Sequence, residues 1–137
     1  MANWDDDRAL GFPVVNLPKS ATVSVEAAVE FLVEVLVAKG QMQAEHADRA
    51  VSHIVGRERF GSTAVGGGVA IPHSKSDVVK EVAGAVGHSL EGMAWPGAMD
   101  GKSVYRVCLI LTPTSKPGTA LRALEAASKH FRGDRLT

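Results

Sequence analysis

The chain has 137 residues, 45% of them hydrophobic and 22% charged, with 15 basic residues balancing 15 acidic ones. That length fits one domain with a real core, the composition argues against disorder and fibrous repeats, and zero formal charge gives no support for bulk binding to nucleic acid or membrane. The single cysteine, Cys108, allows no disulfide framework within the chain and sits in the apolar run Val107-Cys108-Leu109-Ile110-Leu111, where burial as a small hydrophobe is expected.

Residues 1–12, with Trp4 and the acidic run Asp5-Asp6-Asp7, read as a mobile terminal arm whose acids are solvated. The start has no basic segment followed by an apolar one, and no apolar stretch reaches membrane-spanning length, so the expected location is the cytoplasm. Val14 to Leu17 reads as a short strand ended by Pro18. From Ser24 to Lys39, Val25, Ala28, Val29, Leu32, Val35 and Leu36 recur at helical spacing, with Ser24 as N-cap and Gly40 as the stop. A second helix is predicted from Ala44 to Glu58, with Ala47, Ala50, Val51, Ile54 and Val55 inward. Gly61 to Gly68 reads as a glycine-rich loop, and Val69-Ala70-Ile71 as a short strand that Pro72 terminates, leaving His73 where a strand opens into a loop.

Val82 to Val86 reads as another strand, and Tyr105 to Thr112, almost continuously apolar, as a central strand buried on both faces. Trp95-Pro96-Gly97 and Asp100-Gly101 between them are turn signals. Pro117 to Phe131 is predicted to be a helix with Leu121, Leu124, Ala127 and Phe131 inward. Helices alternating with buried strands define an α/β class: a single-domain layered sandwich spanning 13–137, with a mixed sheet of about four or five strands flanked by helices.

Several site patterns are absent. Gly66-Gly67-Gly68 is not a dinucleotide fingerprint, because Ile71 stands where the third glycine belongs, and no Gly-Lys-Ser/Thr phosphate loop occurs. One cysteine and five histidines without a His-Glu-x-x-His pair argue against zinc. The segment Arg57 to Ser76 remains. It combines glycines that let backbone amides approach an anion, the hydroxyls of Ser62, Thr63, Ser74 and Ser76, the cations Arg57, Arg59 and Lys75, and one imidazole, His73. Neutral histidine is a competent nucleophile, and its phosphorylated form needs charge stabilisation, so His73 is a candidate phosphohistidine. On chemistry alone a lone histidine before a polar turn is more often a hydrogen-bonded loop residue, and the glycines could form only a flexible turn.

That segment closely resembles the signature of fructose-, mannitol- and nitrogen-regulatory enzyme IIA domains of the sugar phosphotransferase system: an Arg-Glu pair ending a helix (Arg57-Glu58), a Ser-Thr-glycine loop, then Ala70-Ile71-Pro72-His73. The resemblance spans roughly residues 14 to 131 and extends to Trp95, Asp100-Gly101-Lys102 and the strand ending Thr112-Pro113. It implies a phosphoryl carrier that accepts phosphate on His73 from an HPr-like phosphocarrier and passes it to a IIB domain. The alternative is a nitrogen-type regulatory module that binds a target protein according to phosphorylation state. Arg57 takes the role of the arginine that steadies the phosphoryl oxygens, with Thr63, Ser74 and the loop amides as further phosphate-stabilising candidates. No metal, nucleotide or other cofactor is implied. Ala120 stands where the family usually carries a second histidine, and the chain ends at Thr137, where these domains commonly continue through a further helix.

His88 is expected to be structural or solvent-exposed, and is the candidate that would compensate for the histidine missing at Ala120. His46 and His53 read as surface residues, His130 as a partner of its helix dipole, and Trp95 as a packing residue.

Overall fold

The computed structural model describes residues 4–136; residues 1–3 and 137 lie outside the described residues. In chain order come helix α1 (Trp4–Arg8), strand β1 (Val14–Asn16), helices α2 (Val25–Ala38) and α3 (Ala47–Glu58), strands β2 (Ala64–Gly66), β3 (Val69–Ala70), β4 (His73–Ser76), β5 (Ala83–Met93) and β6 (Val104–Pro113), and helix α4 (Pro117–Leu136). The predicted helices form where the apolar spacing requires. Ser24 caps α2 by accepting the Ala27 N–H at 3.0 Å, and Gly40, at φ 74°, turns the chain out of it.

Among the described residues the strands form one six-stranded mixed sheet in the order β1-β5-β6-β3-β2, with β4 also pairing with β6. This α/β class is the predicted one, with one strand more than the upper expectation. β6 explains the continuous apolar run. Val107, Leu109 and Leu111 face the layer of α2 and α3, whereas Cys108 and Ile110 face Ala127 and Phe131 of α4. Cys108 is buried as expected, and burial pushes its thiol pKa upward. On β5, Gly84 is needed for close approach: a Cβ there would stand 2.7 Å from the Phe12 ring.

Four expectations need correction. Residues 61–68 are not wholly loop, because β2 and β3 form a short hairpin whose turn uses Gly66, Gly67 and Gly68 at φ 90°, 67° and 80°. β4 is a strand despite its polar sequence, since it pairs in parallel with β6 from His73↔Ile110 to Ser76↔Pro113. Leu121 points outward and is 62% exposed, because the inward stripe of α4 runs through Ala120, Leu124, Ala127 and Phe131. The expected arm at 1–12 contains α1, and Asp7 is fully buried rather than solvated.

The Asp7 carboxylate accepts from His88 Nε2 at 2.7 Å, His130 Nε2 at 2.9 Å and Arg106 Nη1 at 3.1 Å, joining α1 to β5, β6 and α4. His130 therefore answers a buried carboxylate rather than a helix end, which lies further along α4. Burial pushes the Asp7 pKa up, but the hydrogen bonds from His88 and His130 and the Arg106 charge outweigh it, leaving the carboxyl below its ordinary range.

Candidate functional site

α3 ends with Arg57 and Glu58, and these two residues face different tasks. Glu58 clamps the segment that follows. Its carboxylate accepts from the Thr63 hydroxyl at 2.6 Å, the Thr63 N–H at 2.9 Å and the buried Trp95 indole N–H at 2.9 Å. Charge-assisted bonds of this kind hold a turn firmly, so the path from α3 into the hairpin is fixed by one side chain. Trp95 is thus a packing and anchoring residue, as expected.

Arg57 instead lines a cavity of about 340 Å³ with His73, Ser74, Lys75, Thr112, Ala120 and Leu124. The cavity lies beyond β4, between the C-terminal end of α3 and the first turns of α4. Arg57 Nη1 donates to the Gly61 carbonyl at 3.3 Å, which uses one of its five N–H groups. Ser74 Oγ donates to the Lys75 carbonyl at 3.0 Å.

His73 is half-buried, and its Nδ1 lies 2.7 Å from the Ile71 carbonyl. A carbonyl oxygen only accepts, so Nδ1 carries the hydrogen and Nε2 keeps the lone pair. The ring is held by the residue before the proline whose fixed φ turns the chain between β3 and β4. The motif Ile71-Pro72-His73 therefore sets the tautomer as well as the position.

The structure brings together His73, Arg57, Ser74 and Ala120. It does not bring Thr63, whose side chain is buried against Glu58. Loop amides are engaged elsewhere: Gly61 N–H donates to the Glu58 carbonyl, Thr63 N–H to Glu58 Oε2, Ala64 N–H to Ser62 Oγ, and Gly67 N–H to Asp100 Oδ2 at 3.2 Å. The Lys102 and Gly67 N–H groups hold the Asp100 pKa below its ordinary range. His88 lies away from the cavity. Ile110 pairs with His73 on one side and Gly84 on the other, and from Gly84 to His88 along β5 is about 13 Å.

Thr112 and Leu124 line the cavity and His53 lies on the same face of α3 as Arg57; none of the three was read from the sequence as a site residue. Thr112 could have been found only from the β4–β6 register. His53, read as a surface residue, is half-buried and bonds Ser76 at 2.8 Å. Among the described residues no group of three or more His, Cys, Asp or Glu could hold a metal ion, and no helix is long and apolar enough to cross a membrane.

Fold and site together define an α/β domain of the enzyme IIA type, with a histidine held beside an arginine. The chain belongs to the family described as phosphoenolpyruvate-dependent sugar phosphotransferase system, EIIA 2, whose model matches residues 14–135. It is similar to the fructose-specific EIIA component of Haloferax volcanii, 35% identical over 104 residues covering 76% of this chain and 66% of that protein. The chain thus spans just under two thirds of that relative. The crystal structure of nitrogen regulatory protein IIA-Ntr from Neisseria meningitidis is similar with a TM-score of 0.70 and 28% identity, covering 93% of this chain and 86% of that one. Enzyme IIAMTL in its complex with phosphorylated enzyme IIBMTL from Escherichia coli shares the fold, with a TM-score of 0.63 and 22% identity over 84% of this chain and 78% of that one.

Proposed function

We propose that this chain is a phosphoryl carrier of the phosphotransferase system, taking phosphate on Nε2 of His73 from an HPr-like phosphohistidine carrier and passing it to a IIB domain. The observation that carries this reading is the bond from His73 Nδ1 to the Ile71 carbonyl at 2.7 Å, which leaves the other ring nitrogen as nucleophile in a cavity shared with Arg57.

In the transfer, the Nε2 lone pair forms a bond to phosphorus as the donor's P–N bond breaks, and the donor imidazole leaves with that electron pair. The His73 ring becomes positively charged, and the Ile71 carbonyl, accepting from Nδ1–H, stabilises that charge. Arg57 offers its remaining N–H groups to the phosphoryl oxygens, and Lys75 adds positive potential. Such transfer requires positioning and charge stabilisation more than further covalent chemistry, so no metal or nucleotide enters the scheme. Ser74 is a further phosphate contact through its place on the cavity wall. Leu121, exposed and next in sequence to the cavity-lining Ala120, supports docking of a protein partner there.

Ala120 favours a second reading. It occupies the wall where a second histidine would assist, and the likeness to IIA-Ntr points the same way, so the chain could serve as a regulatory module that binds a target protein according to the state of His73, with slow onward transfer. Incubation with phosphoenolpyruvate and the upstream carriers tests both. The first reading expects one acid-labile, base-stable phosphate that moves on to a IIB domain, and the second a stable phosphate that changes partner binding. No phosphate at all, or phosphate unaffected by His73→Ala, overturns them.

A further inference from the structure

Arg49, His53 and Arg57 follow one another at single-turn intervals on α3 and so share a face. That face runs along β4 and the residue after it. Arg49 Nη2 meets Asp77 Oδ1 at 3.2 Å, His53 Nδ1 meets Ser76 Oγ at 2.8 Å, and Arg57 reaches the cavity of His73. β4 is bonded through its backbone to β6 on one side, and among the described residues no strand pairs its other side. Side chains must therefore hold that side against the helix.

The two ties are not equal. Arg49 and Asp77 are 50% and 66% exposed, so their pair is screened and weak. His53 and Ser76 are half-buried and buried, and Ser76 Oγ also accepts the Val78 N–H at 3.3 Å, which fixes the hydroxyl from the turn beyond β4. Because a hydroxyl both donates and accepts, either tautomer of His53 sustains the bond.

We propose that His53 is a positioning residue for phosphoryl transfer at His73: through Ser76 it sets the register of α3 against β4, and with it the approach of Arg57 to His73. This rests on the reading of His73 as the phosphorylated residue. His53 touches neither His73 nor the phosphate and acts only by geometry.

The test compares wild type with His53→Ala, Ser76→Ala and His53→Asn, whose amide reaches close to the Nδ1 position. Folding is checked by circular dichroism, and the His73 ring nitrogens and Arg57 Nε are followed by NMR. His53→Ala is expected to shift or broaden the His73 and Arg57 signals and to lower kcat about tenfold, with KM for the donor within about twofold, because the docking surface is untouched. Ser76→Ala should match it, combining His53→Ala with Ser76→Ala should cost no more, and His53→Asn should recover most of the rate. Unchanged His73 and Arg57 signals in His53→Ala, or an Asn variant as slow as the Ala variant, overturn the inference. If wild type takes no phosphate on His73, the proposed function fails, and the NMR comparison alone still decides whether His53 positions the pair. Should His53→Ala not fold, Ser76→Ala and His53→Asn decide it in the same way.

Discussion

Replacing Asp7 by alanine removes a carboxylate that three basic side chains from three different elements address. His88 and Asp7 have fully buried side chains, and Arg106 and His130 are only 11% and 17% exposed, so water replaces little of what is lost. The Arg106 guanidinium stays charged and lies 4.8 Å over the Phe131 ring. Removing one partner of a buried ion pair costs about 3–5 kcal/mol. Taking about 3 kcal/mol, and an unfolding entropy of about 0.3 kcal/mol/K for 137 residues, Tm should fall by about 10 °C.

The pH dependence has a definite sign. The folded carboxyl lies below its ordinary value of 3.8, so its contribution is fully present above that value and is lost as pH falls through the folded pKa. Urea unfolding of wild type and Asp7→Ala should show a wide gap at pH 7 that narrows progressively as pH falls below 3.8. A variant within about 2 °C of wild type at pH 7, or a gap that widens in acid, would mean that Asp7 does not tie these elements together.

Three further outcomes are expected. Arg57→Lys should slow phosphoryl transfer about tenfold without changing the fold, because an ammonium cannot grip two phosphoryl oxygens as a guanidinium fork does; single-turnover transfer rates check this. Ala120→His should speed transfer about ten- to hundredfold by adding a charge-assisted hydrogen bond worth about 1.5–3 kcal/mol, and equal rapid transfer in both proteins would show that the missing histidine is already compensated. Glu58→Gln should lower stability by about 1–3 kcal/mol in urea titrations, since an amide offers one acceptor where the carboxylate serves three donors.

The parts of the fold legible in the sequence were those whose signal is local and repeated. α2 carries a helical apolar stripe with a serine cap, and β6 the apolar run Val107 to Leu111, which burial on both faces explains. The segment from Arg57 to His73 was legible as letters in order, and its cavity unites His73, Arg57, Ser74 and Ala120. What was hidden depends on tertiary pairing. β4 reads His-Ser-Lys-Ser, with no apolar alternation, and becomes a strand because β6 offers an edge. The β2–β3 hairpin is too short and glycine-rich to show a period. Asp7 looks like any solvated acid until β5, β6 and α4 bring His88, Arg106 and His130 to it. The same is true of Thr63, whose hydroxyl suits phosphate equally well but is claimed by Glu58 within the chain's own turn.

The most direct test of the central claim is the position of the phosphate itself. Protein labelled with nitrogen-15 in its histidines, phosphorylated by its upstream carriers and examined by NMR, should show phosphorus coupled to Nε2 of His73 and to no other nitrogen, with Nδ1 still bearing its hydrogen. Phosphorus on Nδ1 of His73, on His53 or His88, or on a serine would contradict the account.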